Sequence, residues 1–178
     1  MTNNVGVLHF GRLGDRDLES INTMINVNVN AQTYMSNLML PKLLKREKRS
    51  AVINLSSKAA YYSRGNMPMY CATKKFNYVL SSCMRDAYSD KLDVMTVTPA
   101  SVKSQMNPGT GVYSIEASEH AKATIDQLGR QNVTWGSKWH AFQWWVDVMG
   151  PFAFFMGPYA RYLADKNFSE RALDEAKN

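Results

Sequence analysis

Two short apolar runs limit what this chain can fold into. The first is Ala51, Val52, Ile53, Asn54, Leu55 and Ser56; the second is Asp93, Val94, Met95, Thr96, Val97 and Thr98, closed by Pro99. Both have the length and composition of strands. Between them Phe76, Val79, Leu80, Cys83, Met84 and Ala87 recur at helical spacing, which predicts a helix over residues 69–89. Pro68 stands where such a helix can begin, because a first turn does not use its missing N–H. Strand, helix, strand in that order points to an α/β chain. At 178 residues, one domain is expected.

The flanks extend the pattern. Residues 15–46 read as a helix with Leu18, Ile21, Met24, Ile25, Ala31, Met35, Leu38 and Met39 on its apolar positions and a break at Pro41. Asn107, Pro108, Gly109, Thr110 and Gly111 form a loop. Residues 114–129 read as a helix carried by Ala121, Ile125 and Leu128, and residues 132–135 as a last short strand.

Three residues carry candidate chemistry. Ser57 follows the first strand, and Tyr70 and Lys74 sit at positions i and i+4 of the central helix, on one face. A cation near a phenol favours phenolate, so the spacing predicts a Tyr70 pKa below its usual value of about 10. Such a tyrosine exchanges a proton with an alcohol or ketone while the Ser57 hydroxyl holds the substrate oxygen. The bland alternative is a helix start with an exposed tyrosine and lysine.

The order strand, serine, loop, Tyr-x-x-x-Lys helix, strand, proline resembles the short-chain dehydrogenases/reductases, and the resemblance runs from the first residues to about Ser104. Asn3, Asn4, Val5 and Gly6 look like the family's N-N-A-G segment at the end of its fourth strand. Ile25, Asn26, Val27 and Asn28 resemble the helix segment that carries the asparagine of the catalytic tetrad, with Asn26 at that position. The segment from Pro99 to Ser104 is similar to the cofactor-contacting turn after the sixth strand, with Ser104 in place of the usual threonine. The resemblance implies an α/β fold built on the second half of a Rossmann-type parallel sheet, with flanking helices. It implies Tyr70 as general acid/base, Lys74 tuning it and bonding the nicotinamide ribose, Ser57 on the substrate carbonyl and Asn26 holding a water. Asn4, Val102 and Ser104, with Tyr70 and Lys74, would touch NADP or NAD.

A glycine-rich phosphate-binding turn is not in this sequence: Gly6, Gly11 and Gly14 lack its spacing. The expectation is therefore the catalytic half of an oxidoreductase, acting on a ketone or secondary alcohol of a lipid-like substrate such as a 3-oxoacyl-CoA or a steroid. The alternative is a noncatalytic structural or interaction subunit descended from one. Either way, a partner chain or an N-terminal half is expected to cover the sheet edge left open.

Residues 1–138 are expected to hold this half-domain and residues 139–178 an aromatic helical extension. Trp139, Phe142, Trp144, Trp145, Phe152, Phe154, Phe155, Tyr159 and Tyr162 crowd the extension, with Asp147, Pro151 and Pro158 among them. Aromatic residues favour bilayer interfaces, and the interruptions argue against a single spanning helix, so an association with a membrane surface is expected. A flap over the substrate cleft or a partner contact is the other reading. This tail looks like that of the very-long-chain 3-oxoacyl-CoA reductase and hydroxysteroid dehydrogenase branch, which implies the endoplasmic reticulum membrane, with its cytoplasmic face an option.

The formal charge is +6, much of it in Lys42, Lys45, Arg46, Lys48 and Arg49. These read as a solvated helix end, or as a contact with anionic lipid headgroups or acidic carrier groups. No aromatic residues interleave with them, so no nucleic-acid partner is expected. Cys71 and Cys83 lie about 18 Å apart on the predicted helix, beyond disulfide reach. His9, His120 and His140 make no metal-ligand spacing, and no metal is expected.

Overall fold

The computed structural model describes residues 1–107 and 114–148. Its elements in chain order are β1 (Thr2–Asn3), a first 3-10 turn (Leu13–Asp15), α1 (Leu18–Ile25), a π-helical turn (Asn26–Asn30), α2 (Ala31–Leu44), β2 (Ser50–Leu55), a second 3-10 turn (Lys58–Tyr61), α3 (Pro68–Tyr88), β3 (Leu92–Val97), α4 (Ala117–Ile125), β4 (Val133–Thr134) and α5 (Lys138–Val148). The strands form one sheet in the order β1-β2-β3-β4, every pair parallel. The fold is thus α/β, a parallel sheet with flanking helices. Parallel neighbours cannot be joined by a tight turn, and α3 is the crossover between β2 and β3.

The register sets Val52 beside Val94 and Asn54 beside Thr96. Val52, Leu92 and Val94 pack with Met84 of α3 and Leu43 of α2, and Met39, Leu40, Leu80 and Tyr88 close over them. Fully burying side chains of this size contributes about 1.5–3 kcal/mol each. At the amino edge of the sheet, Arg49 bonds Asp93 at 2.9 Å and the carbonyls of Ser89 and Asp90 at 2.8 and 3.1 Å. One member of the basic cluster is therefore a clamp between β2 and β3.

The helix expected over residues 15–46 is two helices with a π turn between them. Asp17 starts α1 by accepting the Ser20 N–H at 2.7 Å. Pro41 does not break α2, which runs through it to Leu44; a proline this close to the end removes one hydrogen bond and leaves a single turn beyond it. The buried stripe of this helix pair is also not the apolar one. Met24, Asn28, Gln32 and Ser36, each four residues on from the last, are buried, while Met35 and Leu38 are 46% and 63% exposed. The polar stripe faces polar groups of the sheet: Asn3 donates to Asn54 at 2.7 Å and to Ser36 at 3.3 Å.

The last turn of the helix expected over residues 114–129 is irregular, and the short strand expected near residue 133 is β4. Cys71 and Cys83 are both free thiols. Most of the expected aromatic extension, and the loop residues Pro108 to Gly111, lie outside the described residues.

Candidate active site

In a parallel sheet the carboxyl ends of adjacent strands converge, and loops leaving them build the site. Leu55 ends β2, and Ser56 and Ser57 continue into the loop. Ser56 Oγ, buried, donates to the Lys74 carbonyl at 2.6 Å and so pins α3 against the strand end. Ser57 caps the second 3-10 turn, its Oγ accepting the Ala59 N–H at 3.1 Å. The Tyr70 and Ser57 hydroxyls are hydrogen-bonded to each other. Lys74 is 4% exposed; its Nζ donates to the Leu55 carbonyl at 3.2 Å and lies 5.6 Å from the centroid of the Tyr70 ring. The structure brings Ser57, Tyr70 and Lys74 together.

Their electrostatics differ from the expectation of a depressed tyrosine. Burial pushes the Tyr70 pKa up, and the Ser57 hydrogen bond only partly opposes it. Burial also pulls the Lys74 pKa down to about 8. Desolvation disfavours phenolate and ammonium alike, and it is the largest cause at both groups. Tyr70 is thereby held as a protonated phenol at neutral pH.

Asn26 does not join this cluster. It is exposed, and its Oδ1 accepts from Asn30 at 2.8 Å. Asn28 occupies the inner position, 1% exposed. A step of two residues turns a helix by about 200°, so the two asparagines look in opposite directions. Asn28 accepts the Val7 N–H at 2.8 Å, donates to the Val7 carbonyl at 2.9 Å, and reaches Thr73 Oγ1 at 3.1 Å. One amide thus holds the loop after β1 and α3 at once. The π turn that presents it is a distortion often found at functional sites. The sequence signal was available in the buried i, i+4 stripe, but that stripe is polar and does not stand out by hydropathy.

Residues 1–111 match the short chain dehydrogenase family. The chain belongs to that family. It is 31% identical over 156 residues to a very-long-chain 3-oxoacyl-CoA reductase of Anas platyrhynchos, covering 82% of this chain and 49% of that one. It is 26% identical over 173 residues to the 17-beta-hydroxysteroid dehydrogenase type 3 of Homo sapiens, covering 92% and 54%. The chain therefore spans about half the length of these curated relatives. Among solved structures, a short-chain dehydrogenase from Burkholderia cenocepacia in complex with NADP superposes with a TM-score of 0.70 at 19% identity, over 84% of this chain and 66% of that one. One from Sphingobium yanoikuyae in complex with NADPH gives 0.68 at 23% identity, over 75% and 54%. These likenesses show the Rossmann-like fold of the family.

The residues present fit one end of the family's nicotinamide cofactor. The buried Lys74 ammonium has three donors and, among the described residues, one hydrogen-bond acceptor, so it has N–H groups to offer a ribose. A methyl group on Gly6 would lie 3.2 Å from Lys74 Nζ and 3.4 Å from Asn28 Oδ1, closer than ordinary contact, so a larger residue there would press the lysine aside by a few tenths of an ångström. Asn4, exposed, follows β1, and Val102 and Ser104 follow β3. Val102 forms a parallel bridge with Ile115, and Ser104 pairs with Asn107 through both its N–H and its carbonyl. All three lie beyond the carboxyl ends of their strands, on the side of the sheet where Ser57 lies.

Two of the three histidines, far apart in sequence, also meet. The His120 and His140 rings lie 5.7 Å apart. His140 bonds the Ser101 carbonyl at 3.1 Å and lies 3.4 Å from the Ala100 N–H, which ties α5 to the turn after β3.

Proposed function

We propose that this chain carries the proton-transfer half of an NAD(P)-dependent oxidoreductase that interconverts a ketone and a secondary alcohol on a lipid-like substrate, a 3-oxoacyl-CoA or a steroid. The observation that supports it most is the Ser57–Tyr70 hydroxyl pair with the Lys74 ammonium against the same ring. The names of the duck and human relatives support the lipid-like substrate.

When bound, NADPH or NADH supplies a hydride to the carbonyl carbon. The chain's own residues manage the oxygen. Ser57 donates a hydrogen bond to the carbonyl oxygen and positions it beside Tyr70. Tyr70 gives that oxygen its phenolic proton as negative charge builds there. Its raised pKa suits the reductive direction, because the acid form is the one required. Lys74 stabilises the phenolate left behind and bonds the ribose. Asn28 keeps Lys74 and the Gly6 loop at their spacing through Val7 and Thr73. Asn4, Val102 and Ser104 line the cofactor's side of the site.

The reading extends to a membrane surface. Trp139, Phe142 and Trp145 stack along one side of α5 and are 42%, 50% and 51% exposed. No helix among the described residues is long and apolar enough to cross a membrane. Such a stripe suits a helix lying in the interface.

Activity is tested with the chain alone and with the chain joined to the glycine-rich half of a relative, following NADPH oxidation on a 3-oxoacyl-CoA and on a steroid ketone. Turnover is expected in the joined form, and Tyr70→Phe lowers kcat about 100- to 10,000-fold with little change in cofactor affinity. A Tyr70→Phe enzyme with unchanged turnover rejects the reading.

A further inference from the structure

Two buried histidines that no step above uses hold the turn after β3 from behind. His140 lies on the first turn of α5 and His120 on α4, and neither is reached by solvent to any extent. His140 touches three backbone groups on two loops. Its Nε2 lies 3.1 Å from the Ser101 carbonyl, and its Nδ1 lies 3.4 Å from the Ala100 nitrogen and 3.3 Å from the Trp135 carbonyl. Ala100 and Ser101 belong to the turn after β3, and Trp135 follows β4. His120 is hydrogen-bonded to the Trp135 backbone as well. Two helices thus meet on one residue of the loop between them.

These contacts suit a neutral ring on His140. The Ser101 carbonyl can only accept, which places a proton on Nε2, and Nδ1 then offers its lone pair to the Ala100 N–H. A second proton reverses Nδ1. It becomes a donor that serves the Trp135 carbonyl and meets the Ala100 N–H donor to donor, so the turn after β3 loses one of its two ties to the ring. His120 is no better placed to take a proton. Its Nε2 is buried without a hydrogen-bond partner, and a methyl group on Gly136, whose φ is +78°, would overlap that nitrogen. With both rings charged, two cations would face each other with 5.7 Å between ring centres.

The charges around the pair come from four elements. The second 3-10 turn contributes Lys58, which disfavours a proton on His140, and α4 contributes Glu119, which favours one. On the turn after β3, Lys103 is ion-paired with Glu116. On α5, Lys138 is exposed. Burial is the largest influence on both rings and holds them below the ordinary histidine pKa of about 6.5. A group with a depressed pKa binds more protons unfolded than folded, so what this pair adds to the fold is present above about pH 6.5 and is lost on acidification.

We propose that His140 is a proton-sensitive positioning residue: neutral and backed by His120, it holds the turn after β3 in the shape that meets the cofactor, and protonated it releases that turn. This rests on the reductase reading above, which puts Val102 and Ser104 of the same turn on the cofactor's side. Cofactor affinity then weakens as the surroundings turn acid, through a group that touches neither cofactor nor substrate.

Two measurements test it, each comparing wild type with His140→Gln and His140→Ala. Glutamine keeps a donor for Ser101 and an acceptor for Ala100 and has no charge at any pH. The first measurement is hydrogen exchange of the Ala100 amide in the 178-residue chain, corrected for the intrinsic rate at each pH. Between about pH 7.5 and about pH 5, wild-type protection is expected to fall about two- to tenfold, the worth of one hydrogen bond. Protection should stay level in His140→Gln and be low throughout in His140→Ala. Level protection in wild type, or an equal fall in wild type and His140→Gln, overturns the role; the second result would make acidification a general loosening. The second measurement is NADPH affinity, by fluorescence, of the chain joined to the glycine-rich half of a relative. The NADPH phosphate also titrates in this range, equally for each variant, so the difference between variants is what counts. Wild type should lose about two- to tenfold more affinity on acidification than His140→Gln, and His140→Ala should already bind that much more weakly at neutral pH. If no ketone is turned over while this difference persists, the reductase reading fails and the role of His140 stands. If turnover is normal and wild type and His140→Gln follow one curve, His140 has no such role and the reductase reading stands.

Discussion

At the scale of single residues, burial decides the chemistry of Tyr70 and Lys74. An exposed Tyr–Lys pair at i and i+4 would have a tyrosine eased toward phenolate; this pair is taken out of water, and both groups are driven toward neutrality. The Lys74 pKa of about 8 gives the reduction a pH dependence of definite sign. Below that value the ammonium is present and can stabilise the departing phenolate; as pH rises through it the charge is lost. The kcat of the active enzyme should therefore fall above about pH 8, and Lys74→Arg, whose charge persists at any accessible pH, should remove that falling limb even at a reduced rate. A profile that keeps its limb in the arginine variant would assign it to another group. Asn28 and Asn26 offer a second contrast. Asn28→Ala leaves the Val7 N–H and carbonyl without their partner, at a cost of about 1–3 kcal/mol for each buried orphan. Asn26→Ala removes an exposed contact and should stay within about 0.5 kcal/mol of wild type. Urea unfolding of the two variants side by side checks this, and equal losses would show that the inner position has been misassigned.

At the scale of elements, legibility followed locality. β2, α3 and β3 are written in runs and periods a few residues long, and their bounds came within a residue or two of expectation. Ser57, Tyr70 and Lys74 could be brought together on paper because a strand end and an i, i+4 pair are local facts. The α1–α2 pair was not legible in the same way. Asn28 and Ser36 of its inner stripe are stabilised by polar groups distant in sequence, such as Val7 and Asn3. The apolar positions of the helical period include Met35 and Leu38, which are exposed. The π turn at Asn26–Asn30 has no composition of its own, so nothing in the sequence marks Asn28 rather than Asn26 as the buried asparagine. α5 presents the opposite case, an apolar stripe that is about half exposed. Replacing Trp139, Phe142 and Trp145 together by glutamine should abolish co-sedimentation with liposomes and leave the melting temperature nearly unchanged, since Trp144 is the ring that packs inward. Loss of folding in that variant, or no liposome binding by the wild type, would make the stripe a protein contact.

At the scale of the whole molecule, the sheet decides what the site can hold by itself. β1 pairs with β2 on one side, and among the described residues nothing pairs with its other side. The residues gathered at the carboxyl ends of β1, β2 and β3 suit the nicotinamide and ribose of a dinucleotide. The phosphates need donors of another kind, backbone N–H groups of a glycine-rich turn at a helix N-terminus, and this sequence has no such turn. A unit that carries one and adds strands beyond β1 would complete both the sheet and the cofactor site. Charge-assisted hydrogen bonds contribute about 1.5–3 kcal/mol each, so two or more absent phosphate contacts weaken binding by about a hundredfold or more. NADPH fluorescence titration should therefore find weak binding to the 178-residue chain and binding at least that much tighter when the glycine-rich half of a relative is joined to it. The same joining should raise the melting temperature without NADPH, because a parallel edge left unpaired among the described residues gains a partner. Tight one-to-one binding by the chain alone would mean that its own loops hold the phosphates. A joined form that melts no higher would mean that β1 is not the edge where the second unit docks.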